Sequence, residues 1–391
     1  MKAIIIGAGR IGRGFIAELM TLNDVDITFF DINQEFVDEM NRANRYTVHA
    51  LGNANHDVIV ENVRAYSFDS LDDFARIWDE ADYIFTACGG KNLRSIGERI
   101  GEAYKLRDPS TSKISNIVTC ENWISPVEDL TAGIMHGLTE SDYSRFLEHI
   151  GVSESVILCT GTGSPDGRQT NPVDTWVQDL RYLPINKDLI KGPLPDWKYV
   201  EFVSEFGNLL TQKIYTNNTS VATVSYLGYL KGIKHVADAA NDPQILPILD
   251  QLYTEINAVL IHGLGIDSES QLKFSKAAKA KYTDYAIVDQ VTRIARDPIR
   301  KLGPDDRFIG PMTIALKANI VPEAMALGAA AAIYYDYAED ETATTLRHLR
   351  VDQGIDEIFK EVCKIDPEGE IASWIKNGIA RLKEEGWITY E

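Results

Sequence analysis

The stretch that decides the fold is Lys2-Ala-Ile-Ile-Ile6-Gly7-Ala-Gly9-Arg10-Ile11-Gly12, followed after a helical-looking Arg13–Thr21 by Ile27-Thr-Phe-Phe30-Asp31. An apolar strand runs into a GxGxxG turn and a helix, and a second apolar strand ends in an acid about 20 residues further on. The glycines have distinct uses. Gly7 permits the tight turn, Gly9 lets the backbone approach a pyrophosphate, and Gly12 allows helix to pack on strand. The helix N-terminus, with Arg10 and Ile11 in its first turn, offers amide donors and a positive dipole to phosphates. Asp31 is placed to accept hydrogen bonds from ribose hydroxyls and to repel a 2′-phosphate. The pattern therefore predicts a Rossmann-type unit that binds NAD rather than NADP.

Working outward, further apolar runs follow at Tyr83–Ala87, Ile117–Cys120 and Val156–Cys159, separated by helical or loop segments. Near-continuous apolar strands between helices predict a parallel sheet covered on both faces. Gly89-Gly90, directly after the Tyr83–Ala87 run, is a second place where backbone can approach the cofactor. A Pro-rich stretch, Lys191-Gly-Pro-Leu-Pro-Asp196, reads as a linker. Beyond it strand patterns nearly vanish and amphipathic helical ones dominate, as in Ile248–Ile261, Pro322–Tyr337 and Ile371–Glu385. The expected organisation is an α/β N-terminal Rossmann-type domain over 1–195 and a mainly α-helical substrate and catalytic domain over 196–391.

Composition narrows the function. A formal charge of −19 over 391 residues argues against nucleic acid or an anionic membrane surface as partner. No apolar run approaches the roughly 18 residues of a membrane span. The Ala-rich run from Ala324 to Tyr335 reads as a buried helix. The four cysteines lie far apart without a CxxC pair, so buried reduced thiols and a cytoplasmic location are expected. The partner is then a small molecule, and the protein a monomer or small homo-oligomer.

Hydride transfer from an alcohol needs a group to take the hydroxyl proton and donors for the developing oxyanion. The seven histidines show no ligand spacing with one another or with cysteine, which argues against catalytic zinc. No tyrosine has a lysine four residues on; Tyr226 is followed there by Leu230. The tyrosine–lysine solution of the short-chain dehydrogenases is therefore absent.

The segment Lys213-Ile-Tyr-Thr-Asn217-Asn218-Thr219-Ser220-Val221 resembles the KxxxxNxxH signature of the long-chain polyol-specific dehydrogenases. The opening Gly7-Ala-Gly-Arg-Ile-Gly-Arg-Gly-Phe15 and the triplet Cys120-Glu121-Asn122 are similar to that family as well. The stretch Arg296-Asp-Pro-Ile-Arg300-Lys301-Leu-Gly-Pro-Asp-Asp-Arg307 resembles its mannitol-1-phosphate branch. The resemblance implies metal-independent, NAD-linked interconversion of a polyol phosphate of the mannitol 1-phosphate type with a ketose phosphate of the fructose 6-phosphate type. It implies Lys213 as the general base, with Asn218 and Asn122 donating to the substrate oxygen. Asp174 and Arg293 correspond to contacts with the polyol, and Arg300, Lys301 and Arg307 form a basic run suited to a phosphate.

Val221 departs from the signature: valine stands where the family has histidine, and it can neither donate nor accept a hydrogen bond. Asn217 or Ser220 is then a candidate substitute. An unphosphorylated polyol or a hexuronate as substrate, or an NAD-binding protein with impaired catalysis, are the alternatives. On a regular helix, Lys213 and Asn218 would diverge by about 140°, so the segment must depart from regular helix for the two to act together.

Overall fold

A computed structural model describes residues 1–123, 125–164, 171–285 and 287–389. The chain divides into two compact units, Met1–Phe206 and Gly207–Glu391. The Pro-rich 191–196 stretch lies within the first of them.

The first unit is built on six parallel strands: β1 (Lys2–Ile6), β2 (Asp26–Asp31), β3 (Ala65–Ser67), β4 (Tyr83–Thr86), β5 (Ser115–Thr119) and β6 (Ile150–Glu154). Their order in the sheet is β3-β2-β1-β4-β5-β6. The reversal between β1 and β4 is the switch point at which ligands of such sheets bind, beyond the carboxyl ends of the strands. The register places Ile4 between Thr28 and Ile84. Successive side chains of a strand face opposite ways, so both sides must be apolar when both are covered. Accordingly, Ala3, Ile5, Phe29 and Phe85 enter one buried cluster, and Ile4, Ile6, Phe30 and Ile84 the other.

Two elements of this unit differ from the sequence reading. The last strand of the sheet is Ile150–Glu154, while 156–159 is not a strand despite its apolar character. Its main chain is held instead by a carbonyl and a side chain: Val156 N donates to Pro184 O at 3.3 Å, and Ile157 N to Asn122 Oδ1 at 3.3 Å. A second, four-stranded sheet also forms, in the order Val58–Glu61, Arg45–Leu51, Thr175–Gln178, Gly161–Thr162. Gly14 of the glycine-rich helix packs against it, since a Cβ there would lie 2.8 Å from Val177 Cγ1.

The second unit is helical; among its described residues there is no strand. Its core surrounds the helix Glu323–Ile333, in which every residue from Ala324 onward is buried. Small side chains let neighbouring helices come close: a Cβ on Gly328 would lie 2.4 Å from Thr223 Oγ1. The buried start of this helix is capped by Glu255, which accepts from Ala324 N at 2.9 Å and Met325 N at 3.0 Å. Among the described residues, no helix is long and apolar enough to cross a membrane.

Candidate active site

In the first unit the glycine-rich turn has the form a dinucleotide requires. Gly7 has φ +95°, and a Cβ there would meet Ala87 O at 2.6 Å; a Cβ on Gly12 would meet Gly7 O at 1.9 Å. Gly9, by contrast, faces open space. The helix starting at Arg10 has no side-chain cap, which leaves its first amides free to meet an anion. Its first stretch, Arg10–Ile16, is a π turn that continues as regular helix over Ala17–Thr21. Arg10 is exposed and Ile11 half-buried beside this turn.

Asp31, at the end of β2, braces that turn. Its Oδ2 accepts from Ala8 N at 2.7 Å and its Oδ1 from Asn33 N at 2.9 Å. Each oxygen keeps lone-pair capacity for a ribose hydroxyl. The residues therefore fit the adenosine half of NAD: a cradle with no room for side chains, an uncapped helix end and an acid at the second strand.

At the ends of β4 and β5 one residue, named in the sequence only within the Cys120-Glu121-Asn122 triplet, has a structural role of its own. Glu121 is buried and accepts from Thr86 Oγ1 at 2.6 Å and Cys88 N at 2.9 Å, tying the two strand ends together. Burial pushes its carboxyl up from the usual range, while these donors oppose the shift. Its place next to Asn122 was the available signal. Gly89, with φ +87°, follows directly in this crest. Asn122 itself is exposed and held at both ends of its amide: Nδ2 donates to Ile157 O at 3.0 Å and Oδ1 accepts from Ile157 N. One N–H of that amide is left over. Asp174 sits at the head of the Thr175–Gln178 strand, where Oδ1 accepts from Thr47 N at 2.8 Å and Oδ2 lies 3.8 Å from His49 Nε2.

In the second unit, Lys213 closes the helix Phe206–Lys213 and is 4% exposed. Burial, reinforced by the charges of Arg307 and Lys281 and opposed by Asp306, lowers its amine to about 7. The next five residues, Ile214–Asn218, form a π turn in which Thr219 N bonds to Ile214 O. A bond from i to i+5 unwinds the helix locally, so residues five apart diverge by less than the about 140° of regular helix. The turn therefore reduces the divergence between Lys213 and Asn218. It is held from below by Gln271, wholly buried, whose Nε2 donates to Thr216 Oγ1 at 3.1 Å and Asn257 Oδ1 at 3.0 Å.

The basic run does not gather as one patch. Arg300 Nη1 and Arg307 Nε share Asp306, at 3.1 and 2.7 Å, and Arg300 Nε also meets Asp297 at 2.9 Å. Lys301 is buried, with its ammonium donating to the carbonyls of Ile294, at 2.7 Å, and Arg296. Burial first, then the Arg307 and Arg300 charges, lower Lys301 to about 6. Arg293 is half-exposed and paired with Asp289. Ser220 is wholly buried and gives its hydroxyl to Asn217 O at 3.2 Å; Val221 is 9% exposed and belongs to the helical core. Among the described residues, no three His, Cys, Asp or Glu side chains gather in a form that could hold a metal.

Residues 1–195 match the family profile described as mannitol dehydrogenase Rossmann domain, and residues 208–379 that described as mannitol dehydrogenase C-terminal domain. A mannitol-1-phosphate 5-dehydrogenase of Bacillus pumilus is 31% identical over 374 residues, spanning 95% of this chain and 97% of that protein. One of the same name from Clostridium acetobutylicum is 31% identical over 387 residues, spanning 98% and 99%. Among solved structures, Pseudomonas fluorescens mannitol 2-dehydrogenase, in a ternary complex with NAD and D-mannitol, superposes with a TM-score of 0.77 at 15% identity, covering 99% of this chain and 92% of that one. A D-sorbitol dehydrogenase in substrate-free form gives 0.77 at 14% identity, covering 98% and 93%. At these identities the superpositions speak for a common fold.

Proposed function

The chain belongs to the mannitol dehydrogenase family in both of its domains and is a dehydrogenase, and from that premise we propose that it is an NAD-dependent, metal-independent oxidoreductase that interconverts a mannitol 1-phosphate type polyol phosphate and a fructose 6-phosphate type ketose phosphate. The observation that carries the reading is the Lys213 amine, buried and brought to about 7 directly before the π turn that carries Asn218. A lysine poised there holds a proton in one direction of the reaction and lacks it in the other.

NAD, when bound, supplies the hydride acceptor. In oxidation the neutral Lys213 amine takes the hydroxyl proton of the polyol, and in reduction its ammonium returns one to the ketose oxygen. Asn218, turned toward the Lys213 side of the helix by the π turn, donates an amide N–H to that oxygen as charge develops on it. The leftover N–H of Asn122 is assigned to the same oxygen. Gly7, Gly9, Arg10, Ile11, Gly12, Asp31 and Gly89 are assigned to the cofactor. Asp174 and Arg293 are assigned to the polyol hydroxyls.

The names of the relatives support a phosphorylated substrate. We assign the phosphate to Arg307 and Arg300, the two guanidinium groups joined by Asp306. Lys301, its ammonium committed to two carbonyls, is read as a brace of this loop and not as a phosphate contact. The four cysteines are free, in keeping with a reducing cytoplasm. The test is nicotinamide absorbance on mixing the protein with NADH and fructose 6-phosphate, and with NAD and mannitol 1-phosphate. Turnover with these, and much less with free polyols, is expected. Silence in both directions across phosphorylated and free polyols and hexuronates would sink the proposal.

A further inference from the structure

Asn217 is the fourth of the five residues of the π turn, four residues after Lys213 and four before Val221. It is 7% exposed, and its Oδ1 is buried with no hydrogen-bond partner among the described residues. A buried amide oxygen without a partner costs stability, and a fold keeps such a group when something outside the fold completes it. Other unpartnered atoms nearby, Thr223 Oγ1 and Ser225 Oγ, belong to rotatable hydroxyls inside a helix. An amide that turns to pair its oxygen elsewhere brings its N–H group to the same place, so one of its polar atoms still faces it. Asn217 is also next to Asn218, and residues three and four apart on a helix are neighbours, so Asn217, Asn218 and Val221 share one stretch of its surface.

A side chain in a helix leans toward the N-terminal end and covers the turn before its own Cα. Val221 thus lies over the turn that carries Asn217 and offers it no hydrogen bond. Ser220 cannot fill the gap either, because its hydroxyl is buried and already bonded to the Asn217 carbonyl. The open valence of the Asn217 amide is therefore, among the described residues, a polar feature left unmatched on the helix segment that carries Asn218.

We infer that Asn217 is a substrate-contacting residue, whose amide bonds a hydroxyl of the polyol next to the reacting carbon. The inference rests on the polyol-phosphate reading above for the identity of the substrate. A vicinal hydroxyl supplies what the site lacks: its O–H donates to Oδ1 while its oxygen accepts from Nδ2. A substrate without a hydroxyl beside the reacting carbon leaves the amide unpaired and binds poorly for that reason.

The experiment compares wild type with Asn217→Leu, which matches the volume and removes both polar atoms. Three quantities are read: Tm without ligand, the Kd of mannitol 1-phosphate by calorimetry, and kcat/KM. The expected result is a raised Tm in the ligand-free protein, together with weaker mannitol 1-phosphate binding and a kcat/KM lowered on the order of 10²-fold. A lowered Tm or a misfolded variant would show the amide to be a structural element and overturn the inference. So would a Kd and kcat/KM equal to wild type. Absence of turnover in wild type would count against the polyol-phosphate reading alone, since the Tm comparison needs no substrate and the Kd comparison no turnover. With mannitol 1-phosphate bound by neither protein, the contact is refuted.

Discussion

Thr219 gives its hydroxyl proton to the main-chain carbonyl of Arg307 at 2.7 Å, joining the start of the helix Thr219–Leu230 to the loop that carries the largest charge effect on Lys213. Arg307 is in turn steadied by Asp306, so its charge is held in place and not free to swing away. The two bonds turn a local sequence, Asp306-Arg307, into a fixed electrostatic setting for an amine far away along the chain. Replacing the guanidinium by a neutral group should therefore be felt at Lys213. In Arg307→Gln the repelling charge is gone and Asp306 keeps only Arg300 as its partner, and both changes favour the protonated amine. The midpoint of the pH–rate profile is expected to move to higher pH, while Arg307→Lys leaves it close to wild type. A profile of Arg307→Gln that overlays wild type would contradict this.

The sign of that profile follows from the direction of chemistry. With Lys213 at about 7, kcat/KM for polyol oxidation should rise with pH through neutrality to a plateau, and that for ketose reduction should fall. Lys213→Met removes the proton carrier, with an expected loss on the order of 10²–10⁴ in rate, while NADH fluorescence titration still reports binding.

The same residue makes a stability prediction. A lysine whose folded value is about 7 against an ordinary 10.5 binds its proton less readily folded than unfolded. The unfolded chain takes up the extra proton between those values, so the penalty is full below the folded value and fades as pH rises toward the ordinary one. Lys213→Met should be more stable than wild type to urea at pH 7, with the advantage shrinking by pH 10. A constant difference between the two across that range would rule the argument out.

What could be read from the sequence was local. Ile4 to Ile6, the glycines and Asp31 sit within one βαβ unit, and their spacing alone specifies the turn. The strand Arg45–Leu51 escaped notice because only one of its faces is buried: Tyr46, Val48 and Ala50 point inward while Thr47 and His49 alternate with them. The run 156–159 differs in the opposite way: it is apolar and largely buried, yet its own amides at Val156 and Ile157 bond to Pro184 and Asn122 and not to a strand ladder. At the site, Lys213 and Asn218 were legible as residues, but the π turn that reduces their divergence is a change of hydrogen-bond register that composition does not record. The role of Asp306 was hidden for a related reason. Alternating Asp and Arg along a sequence does not say which oxygen pairs with which guanidinium, and that pairing decides how much positive charge is left for a phosphate.

Cofactor choice should depend on one carboxylate. Asp31, assigned to the ribose, also accepts the Ala8 amide. Asp31→Asn keeps an acceptor for that amide and removes the negative charge. NADH should bind more weakly and NADPH more tightly, with the preference narrowed by about tenfold, equivalent to ~1.4 kcal/mol. The two Kd values from fluorescence titration decide it, and an unchanged ratio would remove Asp31 from the discriminating role.

The glycines separate support of the fold from support of the ligand. In Gly12→Ala the new Cβ would stand 1.9 Å from Gly7 O and 3.1 Å from Ile5 Cγ2. The first of these is main chain, so relief requires the turn itself to open, at a cost of about 1–3 kcal/mol or more. Tm should fall, and NADH binding with it. In Gly9→Ala the new Cβ meets nothing within 4 Å, and its φ of −68° suits alanine, so Tm should stay where it is. The same Cβ projects from the backbone that a pyrophosphate must approach, so NADH affinity should still drop. Thermal melting paired with NADH titration on the two variants tests the contrast. If Gly9→Ala binds NADH as wild type does, the open face at Gly9 is not where the phosphates lie.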